Sequence, residues 1–236
     1  MTYRTFRTYL AIGALSLAGW SPIARAGITY DATVGGSAPT GVNYANFDGL
    51  PLGAAGGISN GITVSFTGDG QAVQGSQSGA YAAPFLSSGN GTLFGDPNNG
   101  PDTTTYLSTG TGSVTLSMPG QEKYFGLLWG SVDSYNTLSF FDGSTLVGSL
   151  TGAQVTSGAS GNQGEFGTFY VNINSSESFD KVVATSSQIA FELDNVAYNV
   201  SAVPEPSSFI LALIGGVGAV AYKLKRRKAK ATGNSG

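Results

Sequence analysis

Apolar residues recur at every second position through long stretches of this chain, and that period decides what it can fold into. Ile62, Val64 and Phe66 alternate with Thr63, Ser65 and Thr67; Val114, Leu116 and Met118 alternate with Ser113, Thr115 and Ser117. Phe169, Val171 and Ile173 share a face opposite Tyr170 and Asn172. A strand sends successive side chains to opposite faces, so each run predicts a half-buried strand. Tyr124–Trp129 is apolar on both faces and predicts a strand covered on both sides. Thr137–Phe141, Thr145–Leu150, Phe179–Thr185 and Gln188–Val200 read as further strands. In the last of these, Ile189, Phe191 and Leu193 share a face before the apolar set moves to Val196 and Tyr198, which predicts a bulge near Asp194-Asn195. Asp48-Gly49, Asn60-Gly61 and Asp142-Gly143 supply turns. No segment between residues 27 and 203 has a helical period. The expectation is one all-β domain over 27–203, an antiparallel β-sandwich of jelly-roll-like kind.

Composition narrows the function classes. The chain holds 36 Gly among 236 residues, about twice ordinary usage. Between Gly27 and Val203, Lys123 and Lys181 face thirteen Asp and Glu, a net charge of −11 that the whole-chain value of −3 conceals. Such a domain repels phosphate backbones, which excludes nucleic acid as a partner. With no His, the usual general base, most zinc sites and every His-containing triad are excluded. With no Cys there is neither disulfide nor thiol nucleophile.

The two ends differ from the middle. Residues 1–26 read as a secretory signal peptide. Arg4 and Arg7 form its positive start, Tyr9–Trp20 its apolar stretch, and Ala24-Arg25-Ala26 after Pro22 the small-x-small pattern cut by signal peptidase. At the other end, Pro204-Glu205-Pro206 precedes an apolar run from Phe209 to Tyr222, then Lys223, Lys225, Arg226, Arg227, Lys228 and Lys230. The run is shorter than the roughly twenty residues of a standard span, and Leu224 and a snorkelling Lys223 can extend it into a single transmembrane helix. The basic cluster acts as a stop-transfer signal that stays cytoplasmic and leaves the domain outside. Each proline fixes φ and pushes its predecessor to extended geometry, so the tripeptide offers a protease a stiff strand beside the membrane. A plain tail anchor has the same order of parts.

Residues 204–236, with tripeptide, apolar helix and basic terminus in that order, resemble the PEP-CTERM sorting signal recognised by exosortases. The resemblance implies export, transient retention in the inner membrane, cleavage by exosortase, and release to the surface of a bacterium that makes exopolysaccharide. Trp129-Gly130-Ser131-Val132-Asp133-Ser134-Tyr135-Asn136, with Ala190–Val196, resembles a subfamily of exosortase-dependent surface proteins with a Trp-Gly-Ser-x-Asp-x-Tyr-Asn core. That second resemblance implies surface location and a β-sandwich, and carries no reaction.

Candidate chemistry is sparse. Trp129, Asp133, Tyr135 and Asn136 sit where an apolar strand ends and form a candidate glycan-binding set, the ring stacking on a pyranose and the polar groups bonding hydroxyls. The alternative is a core Trp beside a hydrogen-bonded Asx turn. Asp96, Asn98 and Asp102 alternate around Gly100, and Glu192, Asp194 and Asn195 follow one another on the last strand; both are oxygen-rich candidates for Ca²⁺, the one cofactor the sequence suggests. Asp133, Asp142 and Glu192 are the carboxylates from which a glycosidase pair could come. The leading expectation is a non-enzymatic surface or biofilm-matrix protein. A carbohydrate-binding module recognising exopolysaccharide comes second, and a polysaccharide-active hydrolase third.

Overall fold

The computed structural model describes residues 27–204. The signal-peptide reading with Ala24 and Ala26, residues Glu205 and Pro206, the apolar run, and the basic residues Lys223, Lys225, Arg226, Arg227, Lys228 and Lys230 lie outside the described residues. Among those described, no helix is long and apolar enough to cross a membrane.

The domain is all-β. Its strands are β1 (Ile28–Thr33), β2 (Asn43–Ala45), β3 (Gly57–Ser59), β4 (Ile62–Thr67), β5 (Gln71–Val73), β6 (Phe85–Leu86), β7 (Gly100–Pro101), β8 (Tyr106–Thr109), β9 (Ser113–Gly130), β10 (Asn136–Asp142), β11 (Thr145–Thr151), β12 (Phe169–Ser186) and β13 (Phe191–Asn199). A four-residue helix, α1 (Gly152–Val155), and two 3₁₀ turns are the only helical elements among the described residues. Every strand pair is antiparallel.

The jelly-roll-like sandwich expected from the sequence has two separate sheets. Here eleven strands join in one sheet, and β6 and β7 form a small ribbon. The cause is the length of β9 and β12, 18 residues each. The early part of β9 pairs with β4 and with the late part of β12, while its late part pairs with β13 and the early part of β12. Pairing between the long strands breaks register between Asn174 and Lys181, opposite the exposed Pro119-Gly120-Gln121 segment. Nine residues of straight strand would carry Phe125 about 30 Å from Leu116. Instead the Phe125 ring lies 5.8 Å from Phe140, whose strand neighbours Leu116 through Val182. The sheet therefore folds over at these bends, and its halves face one another.

The space between the halves is the core. Val114, Leu116, Phe125, Leu127, Trp129, Phe140, Val171, Ile173, Phe191 and Leu193 belong to one buried cluster. Phe140 meets Phe179 edge-on at 5.1 Å, and Trp129 stacks on Phe191 at 4.4 Å. The outer face of the late β9 segment is covered too, as its two-sided apolar pattern predicted. Leu86 of β6 and Phe94 of the first 3₁₀ turn close over Tyr124, Leu128, Tyr170 and Ala197. The bulge expected near Asp194-Asn195 is present: Asn195 has φ 51° and pairing with β9 shifts register between Asp194 and Ala197.

Candidate functional site

The turn between β9 and β10 gives most residues of the Trp129–Asn136 stretch a separate task. Gly130 runs close against Pro84, where a Cβ would meet the ring at 3.0 Å and force it to shift by a few tenths of an ångström. Val132 enters the core. The Asp133 N–H donates to Asn136 Oδ1 at 2.9 Å, and the Asn136 N–H donates back to the Asp133 carbonyl at 3.1 Å, closing the turn from both sides. Asn136 Nδ2 donates to Ser186 Oγ and to the Ala190 carbonyl, each at 3.0 Å. The Tyr135 hydroxyl lies 2.7 Å from Asp133 Oδ2 and 2.8 Å from the Ile189 carbonyl.

Ser131, Asp133 and Tyr135 then line one side of a polar cavity of about 210 Å³, closed by Tyr81, Gln163 and Glu192. Glu192 is 1 % exposed. One of its oxygens accepts the Ala82 N–H at 2.9 Å and the other the Ser131 hydroxyl. Burial pushes its carboxyl up to about 7 against the pull of those donors, and Asp133 adds a smaller push in the same direction. Burial also raises Asp133, opposed by the Tyr135 hydroxyl. Tyr135 is pushed up to about 12, by burial first and by Asp133 second.

The sequence-derived sets are therefore redrawn. Asp133 and Tyr135 reach the cavity. Trp129 does not: it is fully buried against Phe191, so no sugar can stack on it. Asn136 is also fully buried and holds the turn. Tyr81 supplies the second aromatic ring, from a Gln-Ser-Gly loop with no strand signal, and its place could not be read locally. Of the three carboxylates considered for hydrolysis, Asp133 and Glu192 share the cavity, while Asp142 lies at the β10–β11 turn beside Gln121 at 3.0 Å.

The two Ca²⁺ candidates also change shape. Asp96 and Asn98 close on each other, with Asp96 Oδ1 accepting the Asn98 N–H at 2.9 Å and its Nδ2 at 2.8 Å. Asp102 is buried, and its Oδ1 accepts the Thr104 N–H and hydroxyl at 2.7 Å each. Glu192 belongs to the cavity wall, two residues before the buried Asp194. Among the described residues, no group of three or more His, Cys, Asp or Glu side chains is arranged to hold a metal ion.

After β13 the chain stays attached to the domain for four residues. The Val203 N–H donates to Asn174 Oδ1 at 2.7 Å, and Asn174 Nδ2 donates back to the Val203 carbonyl at 2.8 Å. Pro204 follows, exposed. The family model described as "PEP-CTERM protein-sorting motif" matches residues 202–228. The chain carries a PEP-CTERM sorting motif. That motif marks an exported protein, sorted at the membrane by an exosortase. The PEP-CTERM match covers the tail alone and overlaps the domain only at its last tethered residues. No curated protein and no solved structure matches the chain.

Proposed function

We propose that exosortase cleavage delivers this chain to the cell surface or extracellular matrix, where residues 27–203 act as a non-catalytic domain. The observation that carries this reading is the junction. The sorting motif starts at residue 202, on a segment the domain itself holds through Asn174. A protease at the membrane then cuts next to Pro204-Glu205-Pro206, and the folded domain is the product. Mass spectrometry of the surface protein tests it: the product should lack the run beginning at Phe209. An intact terminus at Gly236 on most molecules would make the tail a plain anchor. Replacing Pro204, Glu205 and Pro206 with Ala should leave uncut protein in the inner membrane.

Two features support a non-catalytic domain. Both Glu192 oxygens already accept internal hydrogen bonds, and the side chain is almost wholly buried in the cavity wall. A glycosidase acid must reach the leaving oxygen. The chain also has no His or Cys to serve in its place.

The cavity favours a second reading, a carbohydrate-binding module-like role towards exopolysaccharide. Tyr81 and Tyr135 bring rings, and Ser131, Asp133 and Gln163 bring hydroxyl-bonding groups. Its volume is below the roughly 300–1,000 Å³ of small-molecule sites, which suits one sugar residue at a chain end. A glycan array read with and without Ca²⁺ should show binding that Tyr81→Ala abolishes. Turnover of a bound glycan that Glu192→Gln removes would assign a hydrolase instead.

A further inference from the structure

The polar cavity beside Asp133 holds more acceptors than donors. The Tyr135 hydroxyl carries one proton and stands within reach of two acceptors, Asp133 Oδ2 at 2.7 Å and the Ile189 carbonyl at 2.8 Å. It serves one of them at a time. Asp133 Oδ1 accepts no hydrogen bond among the described residues, although Asp133 is only 7 % exposed and lines the cavity. No Lys or Arg lines it either. The domain's two basic residues stand elsewhere. Lys181 donates to the Gly143 carbonyl at 2.7 Å and lies over the Phe141 ring, and Lys123 belongs to β9 next to its bend. Burial therefore raises the Asp133 carboxyl with only the Tyr135 hydroxyl pulling against it, and no cation acts on it.

A glycine keeps this carboxylate reachable. Ser160 pairs with Asp133 as an isolated bridge, and the Gly161 N–H donates to the Val132 carbonyl at 3.1 Å, which fixes the main chain against the Asp133 side chain. Gly161 has φ 67°, and a Cβ there would stand 2.8 Å from Oδ2 and 3.0 Å from Oδ1. Any other residue would press on the carboxylate that the cavity leaves open.

We propose that the cavity binds an amino sugar of a polysaccharide, with the sugar's ammonium group against Asp133. The proposal rests on the carbohydrate-binding reading of the cavity and names the class of sugar. An ammonium brings three donors, no acceptor and the missing positive charge. It can serve Asp133 Oδ1 together with whichever acceptor Tyr135 leaves free. A neutral hydroxyl brings one donor and adds acceptors to a wall that already has a surplus, and a sugar carboxylate would be repelled. Tyr81 and Tyr135, both half-buried at the cavity, offer ring faces that also attract a cation. Gln163 and Ser160 remain for the ring hydroxyls. A domain charge of −11 draws a glycan carrying many amines towards this surface.

Three β-1,4-linked disaccharides that differ only at C2 test it: the glucosamine dimer with an amine, the N-acetylglucosamine dimer with an amide, and cellobiose with a hydroxyl. Each is titrated calorimetrically into the full chain purified in detergent, at about pH 6.5, where the amine is protonated. The glucosamine dimer should bind about tenfold tighter than either of the others. Asp133→Asn, which still offers an acceptor to Tyr135, should bring the three affinities together; should that variant not fold, the three ligands on the unaltered chain decide alone. Equal affinities on the unaltered chain would overturn the amine and leave the carbohydrate reading standing. No binding of any disaccharide would overturn both. Propylamine binding as tightly as the glucosamine dimer would make this a plain amine site and overturn the sugar, and a preference for the amine that survives in folded Asp133→Asn would overturn the proposal as well.

Discussion

Glu192 and Asp194 lie two residues apart on one face of β13, and both are buried, yet their surroundings are opposite. Glu192 is met by an N–H from Ala82 and a hydroxyl from Ser131. Neither Asp194 oxygen makes a full hydrogen bond; the Asn195 N–H pulls only weakly against the push of burial and of Asp102. Burial raises the carboxyls of both. The first arrangement is a finished hydrogen-bonded wall, in which removal of the acid orphans its donors. The second is an unfinished one, in which removal of the charge relieves a conflict. Equal burial on one strand face thus says little about an acid's role; the donor count separates them.

Substitutions can break or sharpen that contrast. The largest effect should come from Glu192→Ala at pH 5, which strands the Ala82 N–H and the Ser131 hydroxyl and leaves a small void. The expected loss is about 3–4 kcal/mol in urea unfolding. A loss under about 1 kcal/mol would mean the wall is not holding the fold.

The next effect is pH dependence. Glu192 holds its proton more tightly folded than unfolded. Between about pH 4.5 and the folded value of about 7 the folded state carries the extra proton, and stability falls as pH rises. The part due to Glu192 is on the order of 3 kcal/mol between pH 5 and 8. Asp194, raised by burial first, acts in the same direction. Asp69, lowered by N–H groups of Gly112, Thr111 and Gly110 against its desolvation, acts oppositely, its contribution being lost as acid protonates it. Glu192→Gln should flatten the pH 5–8 slope; an unchanged slope would remove Glu192 as its source.

Smaller effects follow. Tyr135→Phe removes a donor shared by Asp133 and the Ile189 carbonyl, and should cost about 1 kcal/mol while weakening any glycan bound in the cavity. Asp194→Asn should be neutral or stabilise by up to about 1 kcal/mol, because it removes a buried carboxyl that makes no full hydrogen bond. A loss above about 2 kcal/mol there would make Asp194 a paired, structural acid like Glu192.

Local pattern carried the strands and the bulge, because alternation and its phase change are properties of neighbouring residues. Ile62–Thr67, Thr137–Phe141 and Thr145–Leu150 fall on β4, β10 and β11 almost to the residue. Continuity of the long strands was not legible. Pro119-Gly120 is unfavourable inside a strand, and Asn174–Ser178 has no apolar alternation, yet both lie within strands. Asp133, Tyr135, Glu192, Asp102 and Asp194 could each be singled out by residue type. Which ones meet is set by pairing across the sheet, and that information is non-local. Trp129 was legible as core, because the Tyr124–Trp129 run is apolar on both faces; its other reading, as a platform for a sugar, fails on that burial.

The position of β13 in the sheet has a consequence in time. It is the last strand made, yet it lies inside the sheet, with β9 along one edge and β8 and β2 along the other. Exported chains cross the membrane from the N-terminus, and until Asn199 has emerged β9 and β8 present unpaired edges and the halves cannot close on Phe191 and Leu193. Residue 202, where the sorting motif begins, follows within three residues. In the sorting sequence proposed above, arrest of the tail would follow at once, and that pause would give a non-local β-domain an interval in which to fold before it is set loose.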